Sequence, residues 1–110
     1  MKERLKAPFP WFGGKSRAAD LIWSRIGADC RNYVEPFLGS GAVFLGRPPE
    51  FSGWVTLNDY DGLLVNFWRS VNQHPKETAE AACQPVFEAD LHARHLALVN
   101  ARERLNDRLC

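Results

Sequence analysis

Two glycines and a carboxylate form the most chemically specific pattern in this chain. Gly39 and Gly41 follow the β-rich run NYVEPF, and Asp59 ends a second such run, WVTLND. In nucleotide-binding α/β sheets, a glycine turn after one strand leaves room for an adenosine group. An acidic residue about twenty positions later then accepts hydrogen bonds from the ribose hydroxyls. The spacing therefore predicts a site for an adenosyl ligand.

The glycine turn departs from the dinucleotide fingerprint G-x-G-x-x-G at its last position. Phe44 stands where the third glycine would be. That glycine allows close packing of the helix whose N-terminus receives a pyrophosphate. Its replacement argues against a bound pyrophosphate and favours an adenosyl ligand without phosphates, such as S-adenosylmethionine.

The stretch APFPWFGGKSR ends in the letters that close a phosphate-binding loop. A phosphate loop reads G-x-x-x-x-G-K-[ST], and counting back from Gly14 places Phe9 where the first glycine is required. Pro8 and Pro10 also remove backbone N–H donors that an anion cradle would use. We therefore expect this stretch to serve another purpose than phosphate capture.

Composition narrows the class of protein without identifying a partner. The chain has 110 residues, of which 45% are hydrophobic, and this indicates one globular domain at most. Its net charge of +1 neither requires nor excludes binding to nucleic acid. The three cysteines lack metal-ligand spacing and are expected to be reduced thiols, so no metal site is predicted. With no apolar run of about 18 residues, a soluble cytoplasmic protein without a membrane partner is expected.

Periodicity and turn residues predict an α/β chain. We expect a helix over 16–26 that Ser16 caps and Gly27 ends. A strand, a glycine turn and the start of a helix follow it, and together these three elements form half of a βαβ unit. The second strand and three helices follow, at 61–73 with Asp61 as its cap, at 76–82 and at 88–109.

Three motifs resemble, in order and spacing, the N-terminal third of Dam-like adenine-specific DNA methyltransferases. They are PWFGGK at 10–15, YVEPFLGSGAVF at 33–44 and LNDYD at 57–61, and the resemblance covers roughly residues 8–73. It implies a Rossmann-like class I methyltransferase fold, of which this chain holds only the N-terminal part with an incomplete sheet. It also implies S-adenosylmethionine as cofactor.

The resemblance further implies which residues line the cofactor pocket. Lys15 would lie near the methionine carboxylate, Phe37 would form an apolar wall, and Asp59 would accept hydrogen bonds from both ribose hydroxyls. Glu35 would either orient the loop through backbone N–H groups or touch the cofactor. The alternative interpretation of Trp11 is an aromatic residue of the core, and that of Lys15 is a solvated charge. The predicted cofactor-binding residues are Trp11, Gly14, Lys15, Glu35, Phe37, Gly39, Gly41 and Asp59.

The catalytic D-P-P-Y type motif of that family does not occur in this sequence. The Pro48-Pro49 pair lies between an arginine and a glutamate, before Asp59 rather than after it. No catalytic residue is therefore assigned, and we expect the chain alone to be inactive. Residues 1–87 are expected to form a partial S-adenosylmethionine-binding domain. Residues 88–110 are expected to form a helix that either begins a target-recognition region or presents a solvated face.

The expected partner of the complete enzyme is double-stranded DNA, in a setting of restriction, repair or phage biology. Trp23, Phe67 and Trp68 lie on helices for which a two-stranded sheet offers little packing surface. The chain is therefore expected to pair with a missing C-terminal part of the same protein or to self-associate. The alternative function is a non-catalytic binding protein, derived from a methyltransferase, that pairs with another chain.

Overall fold

A computed structural model describes residues 4–102 of the chain. These residues belong to two compact units, of which the first ends at Asp59 and the second begins at Tyr60. No helix among the described residues is long and apolar enough to cross a membrane.

The first unit contains two helices and a two-stranded parallel sheet. Its elements are α1 (Ala19–Ile26), β1 (Asn32–Glu35), α2 (Ala42–Leu45) and β2 (Trp54–Leu57). The strands pair in register from Asn32 opposite Trp54 to Glu35 opposite Leu57. This parallel pair confirms a mixed helix and strand class and is compatible with part of a methyltransferase sheet. That this pair is the incomplete sheet of a Rossmann-like fold stays a prediction.

Helix α1 begins three residues later than the sequence predicts, at Ala19, and it ends at the predicted position. Its N-cap is Ala18, whose side chain makes no capping hydrogen bond, so the expectation that Ser16 caps this helix is wrong. Residues 16–18 form a turn instead. Gly27 ends the helix with a φ of +81° while its N–H bonds the carbonyl of Trp23, because only glycine adopts this conformation without strain.

An aromatic cluster forms the core of the first unit. Trp23 stacks on Tyr33 with ring centroids 4.9 Å apart, and both rings contact Phe51 at 5.3 and 6.4 Å. The indole Nε1–H of Trp23 donates a 2.7 Å hydrogen bond to the carbonyl of Val43, which ties α1 to α2. The expectation that Trp23 lacks a packing surface is therefore wrong, since 3% of it is exposed.

The second unit is helical in its described part. It contains α3 (Gly62–Gln73), α4 (Pro75–Ala82) and α5 (Glu88–Asn100). Asp61 caps α3 as predicted, because its Oδ1 accepts hydrogen bonds from two N–H groups of the first turn. No residue of α5 is buried. The predicted continuation of this helix over 103–109 lies outside the described residues.

Candidate functional site

A cleft of about 370 Å³ lies at the carboxyl ends of the two strands, within the first unit. It brings together six of the eight predicted residues: Trp11, Gly14, Lys15, Phe37, Gly39 and Asp59. The remaining two, Glu35 and Gly41, do not line it. Five residues outside that list of eight also line the cleft, all within the quoted motifs: Phe12, Gly13, Leu38, Ser40 and Ala42.

The turn after β1 depends on its two glycines. Gly39 has a φ of +56° and Gly41 has a φ of +71°. Residues other than glycine adopt this left-handed backbone conformation only with strain. The N–H of Gly41 closes the turn with a 2.9 Å hydrogen bond to the carbonyl of Leu38. Gly41 then becomes the N-cap of α2, so it shapes the backbone behind the cleft.

A hydrogen bond links this turn to the end of β2. The N–H of Gly39 donates to Oδ2 of Asp59 at 2.8 Å. The backbone pairing continues beside it, because the N–H of Leu38 donates to the carbonyl of Asn58 at 2.9 Å. The carboxylate therefore lies beside the glycine turn, as the twenty-residue spacing predicts.

The segment PWFGGK forms the opposite wall of the cleft. The N–H of Gly14 closes a turn with a 2.9 Å hydrogen bond to the carbonyl of Trp11, and Gly13 within it has a φ of +72°. Trp11 is 42% exposed, so it is not the core aromatic of the alternative interpretation. Phe12, at the tip of the turn, is fully exposed.

Lys15 is fixed by two contacts at the same wall. Its Nζ lies 2.7 Å from Oε1 of Glu35 and donates a 2.7 Å hydrogen bond to the carbonyl of Phe37. About a third of the lysine side chain stays exposed, whereas that of Glu35 is almost entirely buried. Lys15 is thus an anchored cation bordering the cleft and not a freely solvated charge.

Glu35 is buried and its carboxylate contacts two side chains, while its role towards the cofactor stays a prediction. Among the described residues its carboxylate contacts Lys15 through Oε1 and accepts a 2.7 Å hydrogen bond from the hydroxyl of Tyr33 at Oε2. Glu35 does not line the cleft, and within residues 4–102 no loop N–H group donates to its carboxylate. Burial, and then the hydrogen bond and negative charge of Glu35, raise the pKa of Tyr33 well above its usual range.

The arrangement combines space, a carboxylate, a fixed cation and aromatic surface. Glycines let a ligand approach the backbone, a carboxylate accepts hydroxyl donors, and an ammonium group binds a carboxylate. Within residues 4–102, no three histidine, cysteine, aspartate or glutamate side chains come together in a group that could hold a metal ion. The cleft is suited to a polar organic ligand that carries hydroxyl groups and a carboxylate.

Comparison with known proteins identifies one family. Residues 11–109 match the model of the D12 class N6 adenine-specific DNA methyltransferases. A DNA adenine methylase of Haemophilus influenzae is 36% identical over 92 residues, which are 82% of this chain and 31% of that protein.

Two further relatives carry similar names. A type II methyltransferase of Lactococcus lactis subsp. cremoris is 29% identical over 79 residues, covering 72% of this chain and 27% of that protein. A DNA N-6-adenine-methyltransferase of Escherichia phage P1 is 27% identical over 93 residues, covering 84% of this chain and 12% of that protein. The chain thus spans less than a third of each of these relatives. No solved structure matches it significantly.

Proposed function

Because the chain belongs to the D12 class of N6 adenine-specific DNA methyltransferases, we propose that its cleft binds S-adenosylmethionine. This cofactor would supply the methyl group for transfer to the adenine amino group of double-stranded DNA. The chain would be the N-terminal, cofactor-binding portion of such an enzyme.

The observation that carries this proposal is the position of Asp59 beside the glycine turn. Adenosyl ligands bind at the carboxyl edge of parallel sheets, where a carboxylate after the second strand receives the ribose hydroxyls. A carboxylate offers about four acceptor positions, so the bond from Gly39 is compatible with further bonds from a ribose. The geometry supports an adenosine group above Gly39, with its ribose at Asp59.

The other lining residues suit the remaining parts of the cofactor. Trp11 and Phe37 are partly exposed aromatic surfaces at the cleft. Lys15 would bind the carboxylate of the methionine part, since its ammonium group is held at the wall by Glu35 and a backbone carbonyl. Gly14 would allow the ligand to approach the backbone closely.

Binding is tested by titration calorimetry of the 110-residue chain with S-adenosylmethionine and S-adenosylhomocysteine. We expect micromolar or weaker dissociation constants and a loss of at least tenfold in affinity for Asp59→Ala. Charge-assisted hydrogen bonds contribute about 1.5–3 kcal/mol each. Asp29→Ala is the matched control, because Asp29 is an exposed aspartate outside the cleft. Equal affinities of Asp59→Ala and the parent chain would refute the ribose assignment.

A separate proposal concerns catalysis. The sequence contains no D-P-P-Y motif to hold the target amino group and stack on a flipped base. We propose that a polypeptide segment other than these 110 residues supplies those groups, and that residues 88–110 begin a target-recognition region. Tritiated S-adenosylmethionine and unmethylated double-stranded DNA should then yield no labelled DNA with this chain. Sequence-specific labelling would refute the proposed inactivity.

A further inference from the structure

Three polar groups form a continuous chain from the aromatic core to the cleft. The hydroxyl of Tyr33 donates to Oε2 of Glu35 at 2.7 Å, and Oε1 of Glu35 lies 2.7 Å from the Nζ of Lys15. Lys15 in turn lines the cleft. A group in the protein interior is thereby linked to a cation at the ligand-facing wall.

The strand geometry places the first two members of this chain together. Tyr33 and Glu35 are two residues apart on β1, so their side chains leave the same face of the sheet. The Tyr33 ring is held by stacking on Trp23 at 4.9 Å and by an edge contact with Phe51. The hydroxyl group therefore has a fixed position and a fixed acceptor.

The Glu35 carboxylate depends on both of its partners. It is 4% exposed, and a buried charge is unfavourable unless it is paired and hydrogen-bonded. Without the Tyr33 hydroxyl, Oε2 loses its donor while the ammonium group of Lys15 stays close to the same carboxylate. The carboxylate would then turn both oxygens towards Lys15 and draw its Nζ away from the carbonyl of Phe37.

We propose that Tyr33 is a positioning residue whose hydroxyl, acting through Glu35, holds Lys15 where it binds the carboxylate of the cofactor's amino-acid part. The inference rests on the proposed S-adenosylmethionine site. It assigns to the tyrosine of the YVEPF motif a role in ligand affinity besides its role in the core. Removing the hydroxyl should weaken recognition of the amino-acid end and leave recognition of the adenosine end unchanged.

The test compares two probes that differ in the amino-acid end. S-adenosylhomocysteine carries it, whereas 5′-methylthioadenosine keeps the adenosine and lacks the amino acid. Calorimetry of the parent chain should show tighter binding of S-adenosylhomocysteine. Tyr33→Phe should bind S-adenosylhomocysteine roughly fivefold to tenfold more weakly, as expected for a displaced charge-assisted contact, with unchanged affinity for 5′-methylthioadenosine.

Three further variants separate positioning from packing. Tyr60→Phe makes the same substitution at the other tyrosine of the chain, which is 93% exposed, and should leave the ratio of the two affinities unchanged. Glu35→Gln should reduce the ratio as Tyr33→Phe does, since the amide no longer carries the charge that anchors Lys15. Tyr33→Phe added to Glu35→Gln should reduce the ratio no further, because both substitutions break the same chain.

The outcomes distinguish this inference from the proposed function. Parent protein that binds neither probe would refute the proposed site and the inference with it. Parent protein that binds both probes equally would refute the role of Lys15, and so the inference, while the adenosine site stands. Tyr33→Phe that weakens both probes to the same degree, or neither, would show that Tyr33 serves packing alone.

Discussion

The ring of Trp11 packs directly against Gly39. A Cβ atom at Gly39 would lie 2.8 Å from Cδ1 of the indole and 3.2 Å from its Nε1. The two residues are far apart in the sequence, one before α1 and the other after β1, yet this contact brings both walls of the cleft together. Position 39 requires glycine for two reasons, because its backbone is left-handed and because the Trp11 ring leaves no room for a Cβ atom.

Gly39→Ala should impair both folding and ligand binding. The left-handed conformation costs a non-glycine residue about 1–2 kcal/mol, and the new methyl group must also displace the Trp11 ring. We expect a lower urea midpoint and at least tenfold weaker binding of S-adenosylhomocysteine. Gly13→Ala is the matched control, because its φ is also positive but nothing lies within 4 Å of the new atom. Equal reductions of the urea midpoint in the two variants would contradict the role of the Trp11 contact.

Local chemistry explains the parts of the fold that the sequence predicts correctly. The two strands, the end of α1 at Gly27 and the cap of α3 at Asp61 each depend on a few neighbouring residues. The approach of Asp59 to the glycine turn also follows from spacing, because the carboxyl ends of adjacent parallel strands meet at one edge.

Long-range packing explains what the sequence does not reveal. The carboxylate of Glu35 is held by Tyr33, two residues away, and by Lys15, which belongs to the PWFGGK segment before α1. The alternation of β1 indicates that Tyr33 and Glu35 share a face, but nothing in the spacing indicates that Lys15 reaches them. The sequence does not predict which residues pack against Trp23 for the same reason, since Tyr33 and Phe51 come from distant segments.

Trp23→Phe should destabilise the first unit. The substitution removes the indole N–H that bonds the carbonyl of Val43 and leaves a buried acceptor without this donor. An unsatisfied buried polar group costs about 1–3 kcal/mol, to which the lost ring area adds. Urea denaturation followed by far-ultraviolet circular dichroism measures the effect. Trp54→Phe is the control, because Trp54 is 83% exposed and its replacement should change the stability by less than about 0.5 kcal/mol.

Asp61→Ala should destabilise the start of α3. Oδ1 of Asp61 accepts hydrogen bonds from the N–H groups of Leu63 at 2.9 Å and Leu64 at 3.4 Å. Loss of such a cap costs about 1 kcal/mol. Amide hydrogen exchange at Leu63 and Leu64 should accelerate in Asp61→Ala and stay nearly unchanged in Asp61→Asn, since asparagine caps equally well. Equal acceleration in both variants would show that the charge of Asp61, and not its capping geometry, protects this turn.

The chain should self-associate through exposed apolar side chains of its sheet. Val34 is 63% exposed and Trp54 is 83% exposed, although both lie on strands. The register places Trp54 opposite Asn32, which shares its face of the sheet with Val34, so the two apolar side chains lie on the same face. Exposed apolar surface on a sheet favours association with a second copy.

Size-exclusion chromatography with light scattering, at several concentrations, measures this association. We expect the average mass of the parent chain to rise with concentration, and the rise to be smaller in the double variant Val34→Thr/Trp54→Thr, because threonine keeps the strand preference and removes apolar area. Phe87→Thr is the control, since Phe87 is 70% exposed and lies outside the sheet. A parent chain that stays monomeric at every concentration and unfolds cooperatively would count against an incomplete sheet and for a self-sufficient binding protein.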